Sequence, residues 1–361
     1  MKNGLRTWIL SLVLLFLAGL EMILMRNYPA SFFPWYRNSS KVLMGALAGL
    51  FSFTKNSVWD VGAAVLLLIL IIALIRCIIR KRGFVSLLRR TVLIVSVLVL
   101  IAMHGWLGNH YAPKLSTYLN LEVKQYSTQE LYEAAEAYLM EAASLAQEIG
   151  RDKTKRPLPA DFYETARTAG SSYSVLSETY PVLRGASVPV KRFSLIGEYL
   201  LYNGIIGMFM PVTGESSVPR NVPIIPLPFT MCHEAAHRLG IASEQEANFC
   251  AFLACMNNAD PYFRYSGAYS AFGYCWNALA GADPDLAKAL YEKYKMQEGV
   301  TLVFMDRQDT QAAYDKYDSP LHEVGDRVND TYLKTFSHES GIRSYGEVTD
   351  YLIAWHLKNN S

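Results

Sequence analysis

Three nearly continuous apolar runs fall within the first 107 residues, at 8–25 (WILSLVLLFLAGLEMILM), 58–75 and 91–107, and no other feature limits the fold as strongly. Each is close to the roughly 20 residues that a helix needs to cross about 30 Å of hydrocarbon, so three membrane-spanning helices are expected. Apolar residues make up 51% of the 361 and charged residues only 18%. That excess is concentrated before residue 110; beyond it, charges return at the density of a water-exposed domain. A shorter run at 42–53 suits an interfacial or re-entrant piece better than a span. The first run is long for the apolar part of a cleavable signal, and no small-x-small site follows before Arg26, so it reads as an uncleaved anchor.

Orientation follows from the basic residues. The connector 76–90 carries Arg76, Arg80, Lys81, Arg82, Arg89 and Arg90 and no acid, which places it in the cytoplasm by the positive-inside rule. Lys2 and Arg6 agree with that side. The chain is therefore expected to divide into a membrane region, 1–109, and an extracytoplasmic domain, 110–361, in the cell membrane. The net charge of +2 offers no bulk attraction for nucleic acid. The five cysteines form no zinc-ribbon or disulfide-framework spacing; one bridge among Cys232, Cys250, Cys255 and Cys275 is allowed, with no pair assigned.

The second part reads as mostly helical. Ser127 with Glu130 makes a capping box before a helix running to Gly150. Further helices are expected near 160–178, 244–256, 260–280, 284–296, 320–336 and 346–357. The stretch PVTGESSVPRNVPIIPLPFT (211–230) holds five prolines and is expected to be extended with turns.

Directly after it comes FTMCHEAAHRLGIASEQEANF, residues 229–249. On a helix, residues four apart stand one turn above each other, so His233 and His237 can aim two ring nitrogens at one ion. Glu234 lies about 100° around the axis from His233, beside the ion without being a ligand. That is the HExxH arrangement, in which zinc acidifies a water and the glutamate takes its proton. A third ligand must come from another helix. Gly240 offers a helix end, Ser243 with Glu246 a second capping box, and Glu244 a carboxylate on the new helix. Asn248, one turn after Glu244, suits the free N–H of a ligating histidine. Cys232, rotated away from His233, reads as packing.

HEAAH followed by SEQEANF resembles the gluzincin zinc peptidases. That resemblance implies His233, His237 and Glu244 as ligands of one Zn2+ per chain, Glu234 as general base, and Asn248 where those peptidases carry an Asp beside the ligands. Asn for Asp and the six residues between His237 and Glu244 are departures from their pattern. Gly240 also falls where metzincins have a glycine, but Ser243 stands where their third histidine would be. Across nearly the whole chain, the three runs, GWLGNHY, PVTGE, PFTMCHEAAHRLGIASEQEANF and VNDTYLK resemble the bacterial domain-of-unknown-function 3810 family. The resemblance implies a membrane-anchored, mostly α-helical (α+β), zincin-like metallopeptidase domain acting on a peptide or protein substrate.

Several other residues carry two readings. Tyr332, His322 and Arg327 are oxyanion candidates but more ordinary as structural groups. The strip 218–227 can offer backbone to an extended substrate or serve as a connector. His104 and His110 read as interfacial. Glu21 and Asp60, within or at the start of spans, are functional suspects by position, although Asp60 can simply face water. The expected function is a zinc-dependent endopeptidase bound to membrane lipid. The rivals are a non-catalytic, zinc-stabilised envelope sensor and a structural membrane protein in which the motif is accidental.

Overall fold

All three apolar runs are helical over nearly their whole length in the computed structural model, which describes residues 2–321, 327 and 348–360. They are α1 (Lys2–Asn27), α3 (Val58–Arg80) and α4 (Phe84–Gly105), each long and apolar enough to cross a membrane. Along the most apolar windows of α3 and α4 only 0% and 6% of residues are buried. Contiguous apolar surface of that size calls for lipid around it rather than water. The basic connector is shorter than expected: Lys81–Gly83 reverses the chain with φ of 50° at Lys81 and 87° at Gly83. Most of the basic residues of 76–90 therefore stand on helix ends. Helices α1 and α4 run side by side, with His104 Nδ1 2.7 Å from the Glu21 carboxylate.

Between α1 and α3 lies α2 (Pro29–Leu50), which absorbs most of the run at 42–53. Its buried residues Phe33, Tyr36, Ser40, Met44 and Ala48 recur at three- and four-residue intervals, the pattern of a helix with one packed face. The Tyr36 hydroxyl donates to the Met103 carbonyl at 3.3 Å, pinning α2 to the end of α4.

A 3-10 turn, Leu107–Tyr111, and the short α5 (Leu115–Leu119) lead into the second part. It comprises α6 (Thr128–Glu148), α7 (Phe162–Ser171), α8 (Tyr173–Thr179), α9 (Gly197–Tyr202), α10 (Leu227–Arg238), α11 (Glu244–Met256), α12 (Pro261–Ala282), α13 (Pro284–Tyr294) and α14 (Glu298–Asp315), then a last described helix, Val348–Asn360. The Ser127 capping box forms in both directions, at 3.2 and 2.7 Å. The helix expected near 160–178 is two, divided at Ser172. Helix α14 was not expected, because Val300, Thr301 and Val303 are weak helix formers. Packing overrides them, through the Arg151–Asp306 ion pair at 2.8 Å and a buried hydrogen bond from Tyr265 to Asp306.

Only part of the proline-rich strip is extended. A three-stranded sheet, in the order β1 (Lys191–Arg192), β3 (Glu215–Val218), β2 (Met208–Met210), has β3 parallel to β1 and antiparallel to β2. This sheet holds the start of α3. The buried Glu215 carboxylate accepts from the Val58 and Trp59 N–H groups at 3.0 and 2.8 Å and from Lys191 Nζ at 2.5 Å. Asp60 accepts from the Ser194 and Leu195 N–H groups at 2.7 and 2.8 Å. The suspicion attached to Asp60 therefore resolves into a fastening between α3 and the segment that follows β1.

Candidate metal centre

Helix α10 starts as the prolines allow, with Pro228 in its first turn, where the missing N–H costs no helical bond. It ends at Gly240, whose φ of 83° favours glycine. The Gly240 N–H reaches the His237 carbonyl at 2.9 Å and the Ile241 N–H the Ala236 carbonyl at 3.2 Å, the paired bonds of a Schellman end. Two consequences follow from this reversal. It sets the Ile241 carbonyl 2.7 Å from His237 Nδ1, and it brings α11 back so that Glu244, its first residue, faces both histidines.

The ligand atoms of His233, His237 and Glu244 all lie within 4.8 Å of one another. His233 Nε2 stands 3.2 Å and His237 Nε2 3.6 Å from the Glu244 carboxylate. A carbonyl only accepts, so His237 Nδ1 carries the proton it gives to Ile241. His233 Nδ1 lies 2.8 Å from Asn248 Oδ1 and donates in the same way. In the neutral rings both Nε2 atoms then present lone pairs, 3.0 Å apart. Two lone pairs and a carboxylate converge in this partly buried place, an arrangement that a proton or a metal cation would satisfy. The donor set has the number and type that a catalytic zinc site uses.

The acid–base behaviour expresses the same demand. Burial works against charge on His237, but the Glu244 carboxylate outweighs it and raises the imidazole to about 9. Burial would likewise raise Glu244, yet the two histidines hold it well below the usual carboxylate range. Glu234 is pushed up to about 7 by burial, an effect the neighbouring histidines only partly offset. Its Oε2 is buried with no hydrogen-bond partner among the described residues. Gly207, just before β2, lies against it: a Cβ there would stand 2.2 Å from Glu234 Oε1.

Several neighbours were not foreseen. Trp106, which ends α4, meets the His237 ring edge-on at 5.4 Å and Phe209 of β2 at 5.1 Å. Tyr274 of α12 packs near Phe229 at 6.2 Å; burial raises its phenol, and the Glu244 charge adds to the shift. These residues come from segments far from the motif, and no spacing in the chain singles them out.

Other expectations need correction. Ser243 caps α11 without a side-chain hydrogen bond, so no second capping box forms. Glu246 turns away and accepts from the Leu115 N–H at 2.7 Å and the Tyr351 hydroxyl at 2.9 Å, partners that outcompete a cap because they are buried. The strip 218–227 is not the sheet edge beside the centre; β2 is. Arg327 is exposed, and His322 and Tyr332 lie outside the described residues. Cys232, Cys250, Cys255 and Cys275 are free, buried thiols.

The sequence model of the family described as "Protein of unknown function (DUF3810)" matches residues 28–353. No curated protein and no solved structure matches the chain.

Proposed function

We propose that this chain, which belongs to the DUF3810 family, is a membrane-anchored zinc endopeptidase whose domain beyond residue 110 faces away from the cytoplasm. The observation that carries the reading is the convergence of His233, His237 and Glu244 within 4.8 Å, with Glu234 buried beside them. Zinc held by those three side chains would supply Lewis acidity toward a water and a peptide carbonyl. Asn248 and Ile241 orient the two imidazoles with their Nε2 lone pairs inward. Glu234 takes the proton of the attacking water and returns it to the leaving amine, a role that a carboxyl titrating near neutrality can fill. Strand β2 pairs on one side with β3, and its other edge suits an extended peptide laid beside Glu234. Tyr274, coupled to the Glu244 charge, is the described hydroxyl suited to steadying the carbonyl oxygen.

The test uses the purified full-length chain, its zinc content and its cleavage of an unfolded protein. The wild type should hold about one zinc and cleave. Glu234→Gln should keep the metal and lose roughly 100-fold or more in rate. His233→Ala and Glu244→Ala should lose the metal. Glu246→Ala should retain it at a cost of roughly 2 kcal/mol in stability, since Leu115 and Tyr351 lose their acceptor. A wild type without zinc, or a Glu234→Gln variant as fast as wild type, overturns the peptidase reading; zinc without turnover favours the sensor.

A further inference from the structure

The Gly240–Ser243 reversal has a second face. Behind it opens a cavity of about 440 Å3, and none of the three candidate metal ligands lines it. Its size falls within the roughly 300–1,000 Å3 of small-ligand sites. The cavity sits where the third apolar helix ends: Asn109 belongs to the 3-10 turn that follows α4, and Arg37 belongs to α2, fastened to the end of α4 by Tyr36.

The wall is basic and its cations are unspent. Arg37, Lys114 and Lys124 line the cavity, and none forms an ion pair among the described residues. Arg37 is held in place by ring faces, 4.7 Å from Phe33 and 4.3 Å from Tyr118. Of the two carboxylates in the lining, Glu246 is occupied by Leu115 and Tyr351; Asp350 belongs to the last described helix. Asn109 is only 3% exposed, and both its Oδ1 and Nδ2 lack partners among the described residues. A buried amide left so is unfavourable, so its partners are expected from a ligand. Nδ2 requires an acceptor and Oδ1 a donor.

We infer that this cavity binds a phosphate-bearing group that also carries a hydroxyl, the chemistry of an anionic glycerophospholipid head. Phosphate oxygens accept from Arg37, the lysines and Asn109 Nδ2, and the hydroxyl donates to Asn109 Oδ1. The same chemistry is available from a lipid or from a soluble phosphate compound, and the level of the cavity at the end of the span favours the lipid.

The experiment compares thermal unfolding of the full-length chain in phosphatidylglycerol nanodiscs, in phosphatidylcholine nanodiscs, and in neutral detergent with added glycerol 1-phosphate. The phosphatidylglycerol arm should raise the midpoint by at least about 3 °C over phosphatidylcholine. Lys114→Gln with Lys124→Gln, both exposed positions that leave folding intact, should remove most of that rise; Arg37→Gln should do the same, and Lys153→Gln should not. A rise with glycerol 1-phosphate equal to that with phosphatidylglycerol supports the site with a soluble ligand as its source. Absence of a rise in both anionic arms, or a rise undiminished in the double lysine variant, overturns the inference.

Discussion

At the scale of single residues, the centre depends on short contacts that admit little substitution. Gly207 is the sharpest case, because an added Cβ would fall 2.2 Å from Glu234 Oε1 and 2.7 Å from its Cδ. Gly207→Ala should displace the carboxylate without touching a ligand. Zinc content should stay at the wild-type value while hydrolysis falls on the order of 100-fold, the scale of loss that a displacement of about 1 Å produces. Zinc analysis beside a rate assay checks it, and loss of both together would assign Gly207 to the ligand shell instead. How much of this was legible beforehand differs by residue. His233, Glu234 and His237 sit within five consecutive positions of a helix, so spacing alone sets their relation. Glu244 and Asn248 were readable because Gly240 marks a reversal. Gly207, Trp106 and Tyr274 were not, since contacts made across 27 to 131 positions leave no periodic trace. Glu246 was misread because a local cap was visible in the sequence and its distant partners, Leu115 and Tyr351, were not.

At the scale of elements, α2 acts as a brace between the apolar helices and the helical part that follows them. Its Lys41 donates to the Val182 and Arg184 carbonyls, at 2.5 and 3.0 Å. Burial, followed by the charge of Arg37, lowers this ammonium to about 8, whereas an unfolded lysine titrates near 10.4. Between those values the unfolded chain binds more protons, so stability rises with pH; below about 8 both states are protonated and the contribution is flat. The unfolding midpoint of wild type should therefore gain on Lys41→Met as pH is raised from 8 to 10, and parallel profiles would remove Lys41 as the cause. Element type was mostly legible where pattern and caps agree, as in the apolar runs and the Ser127 helix. It failed at α14, whose β-branched residues argue against a helix that contacts with α6, α12 and Arg151 stabilise. It was incomplete at 211–230, where prolines announce the absence of helix but not which four residues pair as a strand.

At the scale of the whole molecule, three apolar helices and a helical domain are joined by fastenings at Glu215, Asp60 and Tyr36. The proposed orientation is open to a direct check. Lys81 and Lys153 are both exposed, so cysteines placed there should label differently in intact cells treated with a membrane-impermeant maleimide. Lys153→Cys should react and Lys81→Cys should react only after permeabilisation; the reverse would put the domain in the cytoplasm. The contact between Trp106 and His237 has a further consequence. The residue that ends the third apolar helix touches a candidate ligand, with ring centres 5.4 Å apart, and an extended peptide advances about 3.3 Å per residue. On the proposed function, this contact would make the molecule a depth gauge, with its cutting point set at one height just above the bilayer. Bonds in a membrane-tethered peptide should be cut within a few residues of its exit from lipid, and rigid spacers that lift the same bond higher should abolish cleavage in a nanodisc assay. Equal cutting at every height would show that the gauge does not operate. With the gauge in operation, address, more than side-chain preference, would decide which proteins this chain can reach.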